Sequence, residues 1–198
     1  MINRRTLLAT GLTGIVTLPT FAQTSGWVTL FDGKSLDGWT QVGDPNITLS
    51  DGVAQADKGN GHLVWKNPLT NFELRAEIWI DAKANSGIFI RFPDKTKPSS
   101  KEGYEFNIFD ARPDPSFGTG AIVDTAKAMS PIKAADKWTT MEIIAKGAEL
   151  SFKLDGVTTV DKASTNANGH LISDRGYLSL QFGGGGLVRF RKVEIREI

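Results

Sequence analysis

The sequence contains no cysteine and only two histidines among its 198 residues. Without cysteine the chain forms no disulfide framework, thiolate zinc site, iron–sulfur cluster or cysteine nucleophile, and two histidines are too few for a histidine-rich metal cage. The 23 Lys and Arg residues nearly balance the 22 Asp and Glu residues, so the basic footprint of a nucleic-acid-binding protein is missing. The length fits one domain, with or without a targeting segment.

The N-terminal segment, residues 1–22, has the layout of a signal peptide. Arg4 and Arg5 supply positive charge, and the small residue Ala22 suits a cleavage site. The mildly apolar stretch between them is too short, and too rich in glycine and threonine, for a stable transmembrane helix. The paired arginines resemble a twin-arginine (Tat) signal, with an ordinary secretory signal as the alternative. We therefore expect a periplasmic or secreted protein whose working part is a single domain over residues 23–198.

The working part contains 19 of the 21 glycines. Its sequence shows turn signals and short alternating runs rather than helical periods. Apolar and polar side chains alternate in residues 72–80, 103–109 and 177–182, and Asp155-Gly156 marks a hairpin between two such runs. Alternation with period two gives each strand one core face and one polar face. About a dozen short strands predict an all-β domain, a two-sheet antiparallel β-sandwich or jelly roll.

Seven short motifs occur in an order that resembles one known family. They are Leu30–Trp39, Asn71–Leu74, Asn85–Arg91, Gly103–Phe106, Thr119–Ile122, Lys137-Trp138 and Phe190-Arg191. In this order they resemble the domain first catalogued as DUF1080 and now called the 3-keto-disaccharide hydrolase domain. The resemblance implies a concanavalin A-like fold with a concave face toward carbohydrate. It also implies cleavage of glycosides already oxidised to a ketone at C3.

The strand that carries Glu105 does not provide the carboxylate pair of an ordinary glycosidase, because its like-facing neighbours are Asn107 and Phe109. Cleavage of a 3-keto sugar does not require such a carboxylate pair. The ketone acidifies the hydrogen at C2, so a base can remove it and expel the group at C1, after which water adds. That chemistry needs a base and a group that holds the enolate oxygen. The sequence thus favours a hydrolase or eliminase of 3-keto-disaccharides or 3-keto-glucosides.

Three residues are candidates for the catalytic roles. Glu105 is the candidate base or metal ligand, and hydrogen bonding to sugar hydroxyls or a structural ion pair is the alternative. Arg91 has the parity of Phe89, so its guanidinium suits an enolate oxygen or a salt bridge to Glu105. His170 is a candidate acid or base near neutral pH, ahead of His62. Both histidines have the alternative of an exposed loop residue.

Substrate binding and metal binding have their own candidates. Asn107, Gln181 and Asn85 are candidates to bind sugar hydroxyls, and Trp79 is the preferred stacking platform because it shares the polar face of its strand. A divalent metal ion is a possible cofactor, with Asp110 and Glu105 as oxygen ligands; no other cofactor is predicted.

The expected partner is a carbohydrate, a 3-keto sugar, with no nucleic acid and no stable membrane insertion. The sequence has no dinucleotide-binding fingerprint, so a separate sugar 3-dehydrogenase upstream in the same pathway must supply the ketone. The alternative function is a non-catalytic carbohydrate-binding module, since a fold does not determine an activity.

Overall fold

The computed structural model describes residues 26–165 and 173–198, which form thirteen β-strands and one 3₁₀ turn, Pro115–Phe117. The strands are β1 Val28–Phe31, β2 Trp39–Gly43, β3 Thr48–Ser50, β4 Val53–Ala56, β5 Gly61–Trp65, β6 Phe72–Ile80, β7 Ser86–Phe92, β8 Tyr104–Ile108, β9 Thr139–Lys146, β10 Glu149–Leu154, β11 Val157–Ser164, β12 Tyr177–Phe182 and β13 Val188–Glu197. Within these two ranges no helix is long and apolar enough to cross a membrane. The predicted signal segment and His170 lie outside the described residues.

The strands form two antiparallel sheets. The eight-stranded sheet has the order β11-β10-β9-β6-β13-β4-β3, with β1 also paired to β13. The five-stranded sheet has the order β2-β5-β12-β7-β8. This arrangement confirms the predicted all-β sandwich. The predicted hairpin is confirmed too: Asp155 and Gly156 join β10 to β11 with φ angles of 49° and 76°, the left-handed pair that a tight two-residue turn requires.

The core lies between the sheets and follows from the alternation in the sequence. In β6 every second side chain, from Phe72 to Ile80, is at most 1% exposed. Edge-to-face aromatic pairs connect the two layers: Phe106 and Phe152 have ring centroids 5.2 Å apart, and Phe182 and Phe190 are 5.4 Å apart. Because each sheet has one face in this core, each also has an outward face that is available for other roles.

Strand β8 ends the order of the five-stranded sheet, but its outer edge is covered by the chain that follows it. The Asn107 N–H donates to the Ala121 carbonyl at 2.9 Å, and the Val123 N–H donates to the Glu105 carbonyl at 3.0 Å. These bonds satisfy backbone groups that an edge strand would otherwise expose. They also fix the position of β8, and therefore the side chains that β8 presents on both faces.

Candidate functional site

The outward face of the five-stranded sheet combines four of the polar residues that the sequence singled out. Cross-strand partners share a face, and two rows of partners run across β5, β12, β7 and β8. The first row is Val64, Ser179, Phe89 and Glu105; the second is His62, Gln181, Gly87 and Asn107. We call these eight positions the site face.

Gly87 forms the floor of the site face between two amide side chains. Its partners in the second row are Gln181 on one side and Asn107 on the other. A Cβ atom at Gly87 would lie 2.7 Å from the carbonyl oxygen of Phe106, closer than real Cβ atoms approach a backbone oxygen. Glycine at this position is therefore explained by the close approach of the β7 and β8 backbones.

Glu105 is a buried carboxyl group on this face, with 7% of its surface exposed. Among the described residues, none donates a hydrogen bond to its carboxylate. Burial raises the pKa of Glu105 to about 7, opposed by the positive charge of Arg112 and supported by the negative charge of Asp124. A carboxyl group with such a pKa exchanges a proton readily at neutral pH, which is what a general base requires.

Three amide oxygens surround the floor without a hydrogen-bond partner in the described part of the chain: Oδ1 of Asn85, Oδ1 of Asn107 and Oε1 of Gln181. The Asn107 Nδ2 donates to the Phe117 carbonyl at 2.7 Å, so its Oδ1 is the free end of the amide. A buried polar atom without a partner costs about 1–3 kcal/mol. Unpaired acceptors on β12 and β8 and just before β7 suit a ligand with several hydroxyl donors, such as a sugar.

His62 also lies on the site face, although the sequence favoured His170. Its Nδ1 is 3.1 Å from the Oγ of Ser179, and its ring meets the Phe89 ring edge-to-face with centroids 4.8 Å apart. Burial lowers the pKa of His62 to about 4, so the imidazole is neutral at neutral pH. The sequence signal that could have placed His62 on this face is its position next to the apolar Leu63, which is buried in the core. His170 lies outside the described residues, so its role stays a prediction.

Arg91 does not lie on the site face, which corrects its expected placement. It is an extra, bulged residue in β7 with a φ of 61°, between the pairs Ile90–Leu178 and Phe92–Tyr177. The bulge breaks the parity that the sequence pattern assumed. The Arg91 side chain is 1% exposed.

The Arg91 guanidinium reaches the opposite sheet instead of forming the expected salt bridge to Glu105. Its Nη1 donates to the Gly147 carbonyl at 2.8 Å, and its Nη2 donates to the Thr70 carbonyl at 3.1 Å. Burial lowers the pKa of Arg91. These contacts connect β7 to the turn between β9 and β10, which is a structural role.

Two further candidates lie away from the site face. Trp79 is on the outward face of the eight-stranded sheet, where the Arg189 guanidinium stacks 4.8 Å from the centre of its ring. It therefore shares no surface with Glu105.

Asp110 follows β8, and its carboxylate accepts hydrogen bonds from the Thr119 hydroxyl and from the N–H groups of Ala134 and Ala135. In the described ranges no group of three or more His, Cys, Asp or Glu residues is arranged to hold a metal ion. With its oxygens occupied by these donors, Asp110 anchors the loop after β8. The possible divalent metal stays a prediction.

Comparisons with known proteins identify a family and related folds. The model of one family, described as the 3-keto-alpha-glucoside-1,2-lyase-like domain, matches residues 26–196. A curated relative from Bacteroides thetaiotaomicron, named 3-keto-disaccharide hydrolase, is 32% identical over a stretch that covers 32% of this chain and 27% of the relative. The match thus spans about a quarter of that relative's length.

Solved structures share the fold. Two proteins from Parabacteroides distasonis ATCC 8503, each described as a proposed glycosyl hydrolase, superpose with TM-scores of 0.75 and 0.72 at 19% and 23% identity. The alignments cover 91% and 87% of this chain and 98% and 100% of those chains. The carbohydrate-binding module CBM66 from Bacillus subtilis has a TM-score of 0.61 at 18% identity, over 81% of this chain and 96% of the module. At these identities the likeness establishes the fold alone.

Proposed function

Since this chain belongs to the family of 3-keto-alpha-glucoside-1,2-lyase-like domains, we propose that it cleaves the glycosidic bond of 3-keto-disaccharides or 3-keto-glucosides on the site face. The observation that carries the proposal is the Glu105 carboxylate, which is buried, unpaired by any described residue, and next to amide oxygens that lack partners. A conventional glycosidase would need a second carboxylate on the same surface. The neighbours of Glu105 on this face, Phe89 and Asn107, do not supply one.

Glu105 is the base in this proposal. The ketone at C3 makes the hydrogen at C2 acidic, and the Glu105 carboxylate takes that proton. The group at C1 then leaves with the electron pair of its bond, and water adds to C1. The pKa of Glu105, raised to about 7 by burial, makes its carboxylate a stronger base than an exposed one while keeping a large ionised fraction at neutral pH.

The amide groups orient the sugar. The free oxygens of Asn85, Asn107 and Gln181 accept hydrogen bonds from sugar hydroxyls, and the floor at Gly87 lets the ring approach the sheet. Phe89 separates Glu105 from Ser179 in the first row and offers an apolar surface to the C–H groups of a sugar.

A non-catalytic carbohydrate-binding module is the second candidate, favoured by the fold likeness to CBM66. The two functions are separated by one experiment. The protein is incubated with 3-keto-trehalose and with 4-nitrophenyl 3-keto-glucoside, and released sugar and nitrophenol are measured with and without added divalent metal. We expect release by the wild type and loss of release in Glu105→Gln. Saturable binding without any product would instead identify a binding module.

The matched control is Glu102→Gln, which changes an exposed glutamate three residues before Glu105 and leaves the site face intact. We expect it to cleave like the wild type. Equal loss in both variants would show that the effect of Glu105→Gln is not specific to the site face.

We also propose that the protein is exported through its N-terminal segment and acts on ketones made by a separate sugar 3-dehydrogenase. The motive is the signal-like pattern of residues 1–22. Fractionation of cells that express the full chain tests the export, with Arg4→Lys and Arg5→Lys together as the Tat-specific variant. Processed protein found only in the cytoplasm would refute it.

A further inference from the structure

The hydrogen bond between Ser179 and His62 determines which ring nitrogen of His62 carries the hydrogen. Ser179 is fully buried, and in the described ranges its Oγ has one polar partner, the His62 Nδ1 at 3.1 Å. A buried hydroxyl that keeps its hydrogen unpaired costs free energy. The Ser179 hydroxyl therefore donates, Nδ1 accepts, and Nε2 is the nitrogen that carries the hydrogen.

The His62 ring is held on two sides, which leaves Nε2 as its free end. Ser179 fixes Nδ1, and the Phe89 ring meets the imidazole at an interplanar angle of 87°. No residue in the described ranges forms a hydrogen bond with Nε2. The ring is also kept uncharged at neutral pH, because burial lowers the pKa of His62 to about 4. A neutral, oriented N–H donor thus lies on the same face as Glu105.

We propose that His62 is a second catalytic residue, whose Nε2–H donates a hydrogen bond to the substrate's C3 oxygen as that oxygen becomes an enolate. Ser179 is its positioning residue. This inference rests on the proposed function and adds the enolate-stabilising group that the proposed base requires. A carboxylate base combined with a neutral histidine donor is an established solution for forming enolates in enzymes.

Glu105, His62 and two water molecules balance the electrons and protons of the proposed cleavage. Glu105 takes the proton from C2, the C2–H electron pair forms the C2–C3 double bond, and the carbonyl pair moves onto the C3 oxygen that Nε2–H stabilises. The carbonyl then re-forms as the C1–oxygen bond breaks and a C1–C2 double bond appears. The departing oxygen takes a proton from water. A second water adds its oxygen to C1 and gives up a proton to the solvent, and protonated Glu105 returns a proton to C2.

The spacing of the strands suits this division of roles. His62 is on β5 and Glu105 is on β8, three strands apart in the order β5-β12-β7-β8. At about 4.8 Å per strand the two backbones are about 14 Å apart. Phe89 lies between them: its ring contacts the His62 ring, and it is the cross-strand partner of Glu105. In the proposal the sugar ring binds over Phe89, with its C2 hydrogen toward Glu105 and its C3 oxygen toward His62.

The test separates enolate formation from bond cleavage. The probe is 1,5-anhydro-3-keto-glucitol, a 3-keto sugar with no leaving group at C1, and the readout is exchange of its C2 hydrogen in D2O followed by proton NMR. We expect exchange by the wild type and a rate lowered about a hundredfold to a thousandfold in His62→Phe, as when one oxyanion donor is removed. The affinity for the probe should change less than tenfold.

Two milder variants identify the donor role. His62→Gln places an amide N–H near the position of Nε2, and we expect it to retain at least ten times the exchange rate of His62→Phe. Ser179→Ala keeps the His62 imidazole ring but removes the hydrogen bond that determines its tautomer. Nitrogen NMR of labelled histidine should then show the ring hydrogen on Nε2 in the wild type and a mixture in Ser179→Ala, with slower exchange. If His62→Phe does not fold, these two variants carry the test.

Each remaining outcome has one meaning. Exchange at the wild-type rate in folded His62→Phe, or a hydrogen on Nδ1 in the wild type, overturns the role of His62 and leaves the proposed function standing. Normal exchange with loss of cleavage in the His62 variants would assign His62 to the leaving group, which also overturns the proposal. A wild type that neither exchanges the probe nor cleaves a 3-keto-glucoside refutes the proposed function itself.

Discussion

Glu105 should destabilise the fold at neutral and alkaline pH, and removing its charge should restore that stability. Burial raises its pKa from 4.5 to about 7, so the unfolded chain releases the Glu105 proton at lower pH than the folded chain does. Below pH 4.5 both states hold the proton and there is no cost. The cost grows between pH 4.5 and pH 7 and is complete above pH 7.

The magnitude follows from the two pKa values. Each tenfold change in proton affinity corresponds to about 1.4 kcal/mol, so the full cost is about 3 kcal/mol. We therefore expect Glu105→Gln to exceed the wild type in free energy of unfolding by about 3 kcal/mol at pH 8 and by less than about 1 kcal/mol at pH 5. The same variant should lose cleavage, since the base is gone.

The assay is urea unfolding at pH 5 and pH 8, followed by tryptophan fluorescence, for the wild type, Glu105→Gln and the exposed control Glu102→Gln. The control should follow the wild type at both pH values. If Glu105→Gln is no more stable than the wild type at pH 8, ionised Glu105 is not a buried, unpaired charge. Glu105 would then lack the raised pKa that its proposed role as a base requires.

Four other outcomes can be measured with the same protein and its variants. The kcat/KM for a 3-keto-glucoside should rise with the ionised fraction of Glu105 and reach half its plateau near pH 7, the pKa of its buried carboxyl; a midpoint near pH 4.5 would contradict this. The folded pKa of His62, about 4, lies below its ordinary 6.5, so the wild type should lose stability as the pH falls from 6.5 to 4, and urea unfolding of His62→Phe should show a smaller loss. Gly87→Ala should destabilise the fold by about 1–3 kcal/mol, because its Cβ would meet the Phe106 carbonyl, and an unchanged urea midpoint would refute that contact. Trp79→Ala should leave sugar affinity within twofold of the wild type in calorimetry, because its strand belongs to the other sheet; a tenfold loss would show that the outward face of that sheet also binds sugar.

Alternation in the sequence was enough to place several site residues, because a strand with one buried face determines the direction of every side chain. Glu105 and Asn107 point away from Tyr104 and Phe106 as predicted, and Gln181 points away from the core in the same way. The family resemblance was confirmed by the match over residues 26–196.

Other features could not be predicted, because they depend on long-range pairing or on the backbone. Alternation assigned Trp79 to a polar face, but both sheets have one, and only the pairing of β6 with β13 shows which sheet it belongs to. Arg91 departs from the expected parity because a bulge inserts one residue into β7, and a left-handed φ at an arginine has no sequence signature. The pairing of His62 with Ser179 joins positions 117 residues apart.

Because His62 and Ser179 are 117 residues apart, the site face is assembled only late in synthesis. Strand β12 is inserted between β5 and β7, so both rows of the site face stay interrupted until residue 182 has joined the sheet. A chain halted before β12 has Glu105 and Asn107 on β8. It lacks the serine that contacts His62 and the amide of Gln181. In the proposed function, a chain that ends before β12 has Glu105 but lacks Ser179 and Gln181, so cleavage requires the insertion of β12 between β5 and β7.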